Sequence, residues 1–508
     1  MRYLVFDTET ENINPESDDI NIHDHHPFLL TYAVLDKQFE VIKEGIIDFN
    51  NDEDEFKNYL SKCPTIVGAN IKYDVHMLLN KGYDISYFEN KNYIDIQVLA
   101  RLVISNDLQS EANFSVALKK LAVLYLGIDS NAEETKLKRE LQGLVQQHKQ
   151  RLKEFLKKHN VWPQLSSTKE TILLNNIYDN DNWFKHYQDF IQFAQLRKQF
   201  FKTDPRPTYA QCANVRTYAM TDTVLTYKLF KLWYPRAVAL EQTPTICRVS
   251  KATFPLIMME RKGMSVNLHQ IIKDRNTLLR EVNKVKIISP ITGEEVSADQ
   301  NAKLKEIYEY ETGMQLANAD EHTREQIADK SPTAKLVSYK KKLNKYLNSY
   351  VTRILKKISV GENGDYKIYT QYKLAGTVTG RLSSDFQQFP KEPLTLETGE
   401  VINIRSWFKV PTGDKYLFYF DYSQLELRLQ CEWTNLINGE PDLNMTRAFM
   451  PYKCFERNGK YYLEEDPSKE WTPTDMHAMT AKNAFPGIDE DDPDWKHYRT
   501  LGKRCNFA

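Results

Sequence analysis

Four apolar residues, Tyr3-Leu-Val-Phe6, run straight into Asp7-Thr8-Glu9, and this junction constrains the fold more than any other stretch of the chain. Alternation along a strand puts Asp7 and Glu9 on one face, so both carboxylates can reach a single cation. Residues 28–35 and 46–49 read as two further strands. A helix from about Glu53 to Leu60, a short strand Thr65–Gly68 and a helix from about Lys72 to Asn80 follow. Three strands and then alternating helix and strand point to an α/β domain with a mixed sheet. Val116 to Leu126 reads as a further amphipathic helix, stopped by Gly127.

The rest of the 508 residues is organised differently. From about Asp129 to Asn214 the chain is polar, rich in Lys, Glu and Gln, and reads as a helical insertion. After Tyr234-Pro235 a connecting helix leads to Phe254–Glu260, and Gly263 opens a turn. Residues 265–360 are mostly helical in pattern, 366–435 mix strands and turns, and helices dominate from about 475. With 41% hydrophobic residues, two to four domains with substantial cores are expected.

No apolar stretch is long enough for a membrane-spanning helix, and the early acids exclude a signal peptide. Six scattered cysteines without CxxC spacing read as reduced thiols of a cytosolic protein with no structural zinc. A net charge of −1 excludes a uniformly basic binder but not segregated charge. Nine basic residues and no acid fall between Lys330 and Ser359, among them Lys340, Lys341 and Lys345. Leu336, Tyr339, Leu343, Tyr346, Tyr350 and Ile354 interleave at helical spacing. Such a helix can pack one side and follow a phosphate backbone with the other, or it can be an ordinary solvated basic face.

Two more acids complete a candidate set. Gly68-Ala-Asn70-Ile-Lys-Tyr-Asp74 carries one at the start of a helix, and Arg216-Thr-Tyr218-Ala-Met-Thr-Asp222 carries another, with Tyr218 and Asp222 on one helical face. Four carboxylates around hard cations suit two Mg²⁺ or Mn²⁺ ions roughly 3.5–4 Å apart, the arrangement used for phosphodiester hydrolysis. Tyr218 could orient the attacking water. Taken singly, each piece is as readily a cap, a turn or a surface pair. Their joint occurrence, in order and each at the expected element, favours the site.

Asp7-x-Glu9, Asn70-x-x-x-Asp74 and Tyr218-x-x-x-Asp222 resemble the three motifs of the DEDDy 3′→5′ proofreading exonucleases, which implies an RNase H-like fold. Asp95, in Tyr93-Ile-Asp-Ile-Gln, stands where this family has an acid after the second motif, and is read as structural or supporting. The long interval from Asp74 to Asp222 fits the insertion at about 129–214.

A second constellation follows: Thr377-Val-Thr-Gly380-Arg-Leu-Ser-Ser384, then Tyr416–Phe420 read as a strand into Asp421-Tyr-Ser-Gln-Leu-Glu-Leu-Arg428, then Asp475-Met-His477, and Arg499-x-x-x-Lys503-x-x-x-Phe507. Asp421 at a strand end is placed to hold a metal against a triphosphate. Arg499, Lys503 and Phe507 line one helical face, where two cations and a ring can bind a nucleotide. The same face could equally be an amphipathic helix with basic residues reaching to solvent.

The string resembles family A DNA polymerases of the bacterial DNA polymerase I type, over about 250–508. That resemblance implies an α/β plus α chain. An RNase H-like exonuclease domain over 1–235 would be followed by linker and helical thumb over 236–360. A partial palm over 361–440 and the start of the fingers over 441–508 would complete a right-hand polymerase in part. It implies a palm metal ligand in Asp421 and a steric gate against a ribose 2′-OH in Glu426. Arg499, Lys503 and nearby His477 would bind the triphosphate, with Phe507 against the nucleotide. Arg381 would reach the primer-terminal minor groove, and Lys340, Lys341 and Lys345 would belong to the DNA-gripping thumb. Phe386-Gln-Gln-Phe389 departs from the family's usual Asn-Leu-Gln-Asn.

The family also uses a second palm aspartate, in a His-Asp-Glu hairpin beyond the Arg/Lys/Phe helix. The one His-Asp pair here, His23-Asp24, is far upstream. The expectation is therefore a split or truncated polymerase: a complete exonuclease site with two Mg²⁺ or Mn²⁺ ions, and a polymerase site awaiting a second polypeptide with the remaining palm and fingers. Expected partners are primer-template, single-stranded DNA and dNTPs, with no membrane, in the cytoplasm or, for a viral protein, the host cytoplasm. The competing expectation is a free-standing 3′→5′ exonuclease with a polymerase-like DNA-binding remnant.

Overall fold

A computed structural model describes residues 2–12, 22–49, 53–111, 114–129, 131–159, 196, 199–200, 207–361, 364–377, 379–384, 386 and 388–506. Most of the expected insertion, and Phe507, lie outside the described residues. Two compact units emerge, Met1–Tyr416 and Leu417–Ala508.

The first unit is built on a five-stranded sheet in the order β3-β2-β1-β4-β5. Strand β1 (Tyr3–Asn12) pairs antiparallel with β2 (His25–Leu35), which pairs antiparallel with β3 (Val41–Asp48). Helix α1 (Asp54–Lys62) leads to β4 (Thr65–Gly68), parallel to β1. Helix α2 (Ile71–Lys81) precedes β5 (Asn92–Asp95), parallel to β4. The first half of β1 is buried on both faces, with Leu4, Val5 and Phe6 in two separate core clusters. A register shift between Glu9 and Thr10 marks a bulge where the strand leaves that core. The expected helix after Val116 spans Leu118–Leu126, and Gly127 ends it at φ 68°.

Helix Ala213–Ala239 packs across β1 and β2 and continues past Pro235, and Thr243–Lys262 follows it. Glu260 near that end ties three segments together. His76 Nε2 meets its Oε2 at 2.7 Å, Tyr372 N donates to Oε1 at 2.6 Å, and Lys72 Nζ pairs with Oε1. Burial works against ionising Glu260, but the hydrogen bond from His76 and the charge of Lys72 outweigh it and hold the carboxyl below its usual range. Glu260→Gln should therefore destabilise this unit by about 3–5 kcal/mol, because Lys72 keeps a buried charge without its counter-ion. A urea midpoint equal to that of the wild type would refute this.

Beyond Lys262 the chain forms a helical core with a small sheet. Tyr366–Ile368 lies between Met264–Ser265 and Ile358–Val360, antiparallel to both. Leu343, Tyr346, Val351 and Ile354 of the basic stretch are buried with Leu268 and Trp407, and Trp407 Nε1 donates to Asp274 at 2.6 Å. The apolar face expected for 330–357 is thus a core face.

The second unit holds helices Leu425–Asn438, Leu443–Phe449, Met476–Ala484 and Trp495–Cys505, with a hairpin of Cys454–Arg457 and Lys460–Leu463. The strand expected over Tyr416–Phe420 is not formed. These residues form no regular element and are exposed, with Phe420 at 89%, and pair with no strand among the described residues. A strand propensity becomes a strand only where a neighbour supplies the ladder. No helix among the described residues is long and apolar enough to cross a membrane.

Candidate metal centre and nucleotide-binding residues

The outgoing end of β1 carries Asp7 and Glu9 as the alternation requires, both half-buried. Asp7 stands opposite Thr31 of β2. The Thr31 hydroxyl reaches the Ala219 carbonyl at 3.0 Å and the Thr223 hydroxyl at 2.7 Å. Those two bonds seat helix Ala213–Ala239 against the sheet, so that Asp222 comes to β1. One carboxylate oxygen each from Asp7, Glu9 and Asp222 lies within 4.8 Å of the others.

Asp74 approaches from α2 and adds its charge to that of Asp7, but one of its oxygens is engaged. Its Oδ1 accepts from Thr8 N at 3.0 Å and from Thr8 Oγ1 at 2.7 Å. Asn70, in the left-handed region at φ 68°, opens α2. Asp95 accepts from Ile71 N at 3.1 Å and from Gln97 N at 2.8 Å, tying the start of α2 to the helix after β5. Asp95 thereby has a structural part in holding the start of α2.

Charge is concentrated here against its own repulsion. Burial, then Asp74, Glu9 and Asp222, push the Asp7 carboxyl well above its usual range. Burial and Asp222 push Glu9 up to about 7. Burial carries Asp74 to about 8, although the hydrogen bonds from Thr8 pull the other way. An all-oxygen donor set with concentrated negative charge suits a hard divalent cation.

The same shifts fix the pH dependence of the metal-free protein. A carboxyl whose folded pKa is raised binds more protons folded than unfolded, so stability falls as pH rises from about 4.5 toward 8. The Tm without divalent ions should drop by roughly 5 °C between pH 5 and pH 8, and Mn²⁺ at pH 8 should restore it. A Tm independent of Mn²⁺ at pH 8 would show that the cluster holds no ion.

Lys119 is the site residue that sequence reasoning passed over. From helix Leu118–Leu126 its ammonium lies 4.3 Å from the centroid of the Tyr218 ring and bonds to the Tyr218 hydroxyl. Its charge opposes the upward shifts of both Asp7 and Glu9. A lysine in an amphipathic helix carries no local signal; only the tertiary fold brings it to the acids.

In the second unit, Asp475 organises the expected nucleotide-binding residues. It accepts from His477 N at 2.9 Å and Ala478 N at 3.2 Å, capping helix Met476–Ala484. Its Oδ2 receives Arg499 through Nε at 2.8 Å and Nη2 at 2.7 Å. A triphosphate binding to Arg499 would compete with this fork. His477 is buried, and its Nδ1 lies 3.0 Å from Asn506 Nδ2. Gly502 lets the two helices meet, since a Cβ there would stand 2.4 Å from the His477 carbonyl oxygen. Lys503 shares the Arg499 helix and is exposed.

Asp421 and Glu426 are exposed, on either side of Gln424. Gln424 takes φ 53° at the start of helix Leu425–Asn438, and its Oε1 accepts from Met476 N at 3.0 Å. In the first unit, Arg381 is exposed at the end of a turn that the Thr377 hydroxyl closes on the Arg381 carbonyl. Of the three lysines read as DNA contacts, Lys345 is exposed and Lys341 lies 3.8 Å from Asp299. Lys340 donates to the Val285 carbonyl at 2.6 Å, where its charge complements a helix C-terminus.

Residues 261–508 match the family model described as DNA polymerase family A. DNA polymerase I of Helicobacter pylori is 24% identical over 331 residues, 61% of this chain and 36% of that protein. DNA polymerase I of Lactococcus lactis is 32% identical over 185 residues, 36% of this chain and 17% of that protein. The chain thus spans about a third or less of the length of these curated relatives. Among solved structures, the polymerase domain of Pol1 from M. smegmatis, in complex with DNA primer-template and dNTP, superposes with a TM-score of 0.58 at 15% identity. It covers 99% of this chain and 67% of that one.

Proposed function

We propose that this chain, family A DNA polymerase sequence over residues 261–508, joins a metal-dependent 3′→5′ exonuclease to part of a template-directed DNA polymerase for DNA replication. The observation that carries the nuclease half is the convergence of Asp7, Glu9 and Asp222, from two strand positions and a helix more than 200 residues away, on one point. The sheet order β3-β2-β1-β4-β5, with acids at the outgoing end of its central strand, supports an RNase H-like nuclease domain. We read residues 1–235 as that domain, 236–360 as linker and thumb, 361–440 as partial palm and 441–508 as the start of the fingers.

In the proposed reaction Asp7, Glu9, Asp74 and Asp222 hold two Mg²⁺ or Mn²⁺ ions, which when bound lower the pKa of water and offset charge on phosphate. Asp74, held by Thr8, fixes the side of the site nearest α2. Asn70 at the mouth of α2 contacts the DNA strand, and the Tyr218 hydroxyl orients the reacting water. The water oxygen bonds to phosphorus as the bond to the 3′ oxygen breaks. That oxygen takes up a proton, leaving a strand one nucleotide shorter and a free nucleoside monophosphate.

For the polymerase half we assign Asp421 to metal binding, Glu426 to exclusion of the 2′-OH, and Arg499, Lys503, His477 and Phe507 to the incoming dNTP. Arg381, Lys340, Lys341 and Lys345 are assigned to primer-template contact, with Lys341 and Lys345 the freer of the three lysines to reach phosphate. The exposed apolar run Leu417–Phe420 supports a second polypeptide that supplies the remaining palm and fingers. We place the protein in the cytoplasm.

Single-stranded DNA labelled at its 5′ end should yield a ladder shortening from the 3′ end with Mg²⁺ or Mn²⁺, and a chelator should stop it. DNA left intact with either ion would sink the nuclease assignment.

A further inference from the structure

The proposed reaction leaves Lys119 without a task, although among the described residues it is the cation whose charge bears on both Asp7 and Glu9. Its helix buries Leu121 and Ala122 and leaves Lys119 half-buried beside Tyr218. The ammonium touches Tyr218 twice, at the hydroxyl and across the ring face. It also reaches Asp7 and Glu9 electrostatically.

We infer that Lys119 is a positioning residue of the nuclease site, holding the Tyr218 phenol by its oxygen so that the O–H points at the reacting water. This rests on the nuclease reading of the Asp7–Glu9–Asp222 cluster and deepens it. A phenol has one proton to donate and lone pairs with which to accept. An ammonium has three donors and no acceptor, so in a Lys–Tyr pair the tyrosine oxygen must accept. Its proton is thereby directed away from Lys119 and left for a substrate-side partner. The stacked contact with the ring holds the phenol in that orientation.

The same ammonium has an opposite effect on metal binding. A positive charge beside three carboxylates repels any divalent ion they hold. A lysine that merely supported the fold would, when removed, loosen the carboxylates and weaken metal binding and cleavage together. Removal of a positioning lysine separates the two quantities.

The test uses the full chain as wild type, Lys119→Met, Lys119→Arg, Tyr218→Phe and the double variant Lys119→Met with Tyr218→Phe. Mn²⁺ binding is measured by calorimetry, and kcat and KM on single-stranded DNA are measured in parallel. Lys119→Met should lower kcat by about 10-fold to 100-fold, leave KM within about twofold, and tighten Mn²⁺ binding several-fold. Lys119→Arg should recover most of kcat. The double variant should be little worse than Lys119→Met, because both changes break one coupled pair.

Weaker Mn²⁺ binding in Lys119→Met, an unchanged kcat, or fully additive losses would overturn the inference. Wild type that cleaves while Lys119→Met cleaves equally well removes this role alone and leaves the nuclease assignment standing. Wild type that never cleaves removes both.

Discussion

Replacing Asp7 and Glu9 together by alanine should cut 3′-end release by at least about 10³-fold, to the background of the assay. Two of the three oxygens that meet within 4.8 Å are lost, and Asp222 with Asp74, whose Oδ1 is engaged by Thr8, cannot hold the ions against water. The same change should leave the fold intact and raise the metal-free Tm at pH 8. Both carboxyls have raised pKa values, which means that their ionised forms are held at a cost to stability. A group retained for function at the expense of stability gives this paired signature of lost activity and gained Tm. Full cleavage by the double variant would disprove the assignment of the cluster. Lost cleavage with a collapsed Tm would mean that the acids serve the fold.

How much of this was legible in the sequence depended on how local the signal was. Alternation and apolar runs located β2 and β4 to within a few residues, but only the start of β1 and the end of β3, and they missed β5; the parts found are those whose faces are buried. Asp7, Glu9 and Asp222 could be paired only through motif resemblance, since their meeting depends on Thr31 and Thr223 seating a helix from 192 residues away. Lys119 and Gly502 had no local mark at all; one acts through a tyrosine 99 residues later, the other by lacking a side chain where two helices touch. Lys340 shows a different limit: its place in a basic run suggests phosphate, but the run cannot show that its ammonium also donates to the carbonyl of Val285. The strand read over Tyr416–Phe420 failed because pairing is not a property of five residues.

That unpaired run leads to the second large effect. On the proposed split reading, this chain alone should show no primer extension with dNTPs and Mg²⁺, and addition of the proposed second polypeptide should produce it. Of the C-terminal motif residues only Asp421 is assigned to metal binding, whereas two-metal phosphoryl transfer needs carboxylates for both ions. Beside it, Leu417, Phe418, Tyr419, Phe420 and Tyr422 are 60%, 72%, 82%, 89% and 79% exposed. Helix Leu425–Asn438 leaves Leu429, Trp433, Leu436 and Ile437 more than half exposed. Apolar surface of this kind marks a face that another element covers. A covering strand would satisfy the backbone of 416–420 and fix Asp421 at a strand end, where a metal ligand gains a defined direction. Complex formation should therefore protect the amides of 416–420 from exchange and shift the fluorescence of Trp433 in step with the appearance of extension. Extension by this chain without an added polypeptide would leave the free-standing and split readings both wrong, and would require a second acid of this chain to act with Asp421.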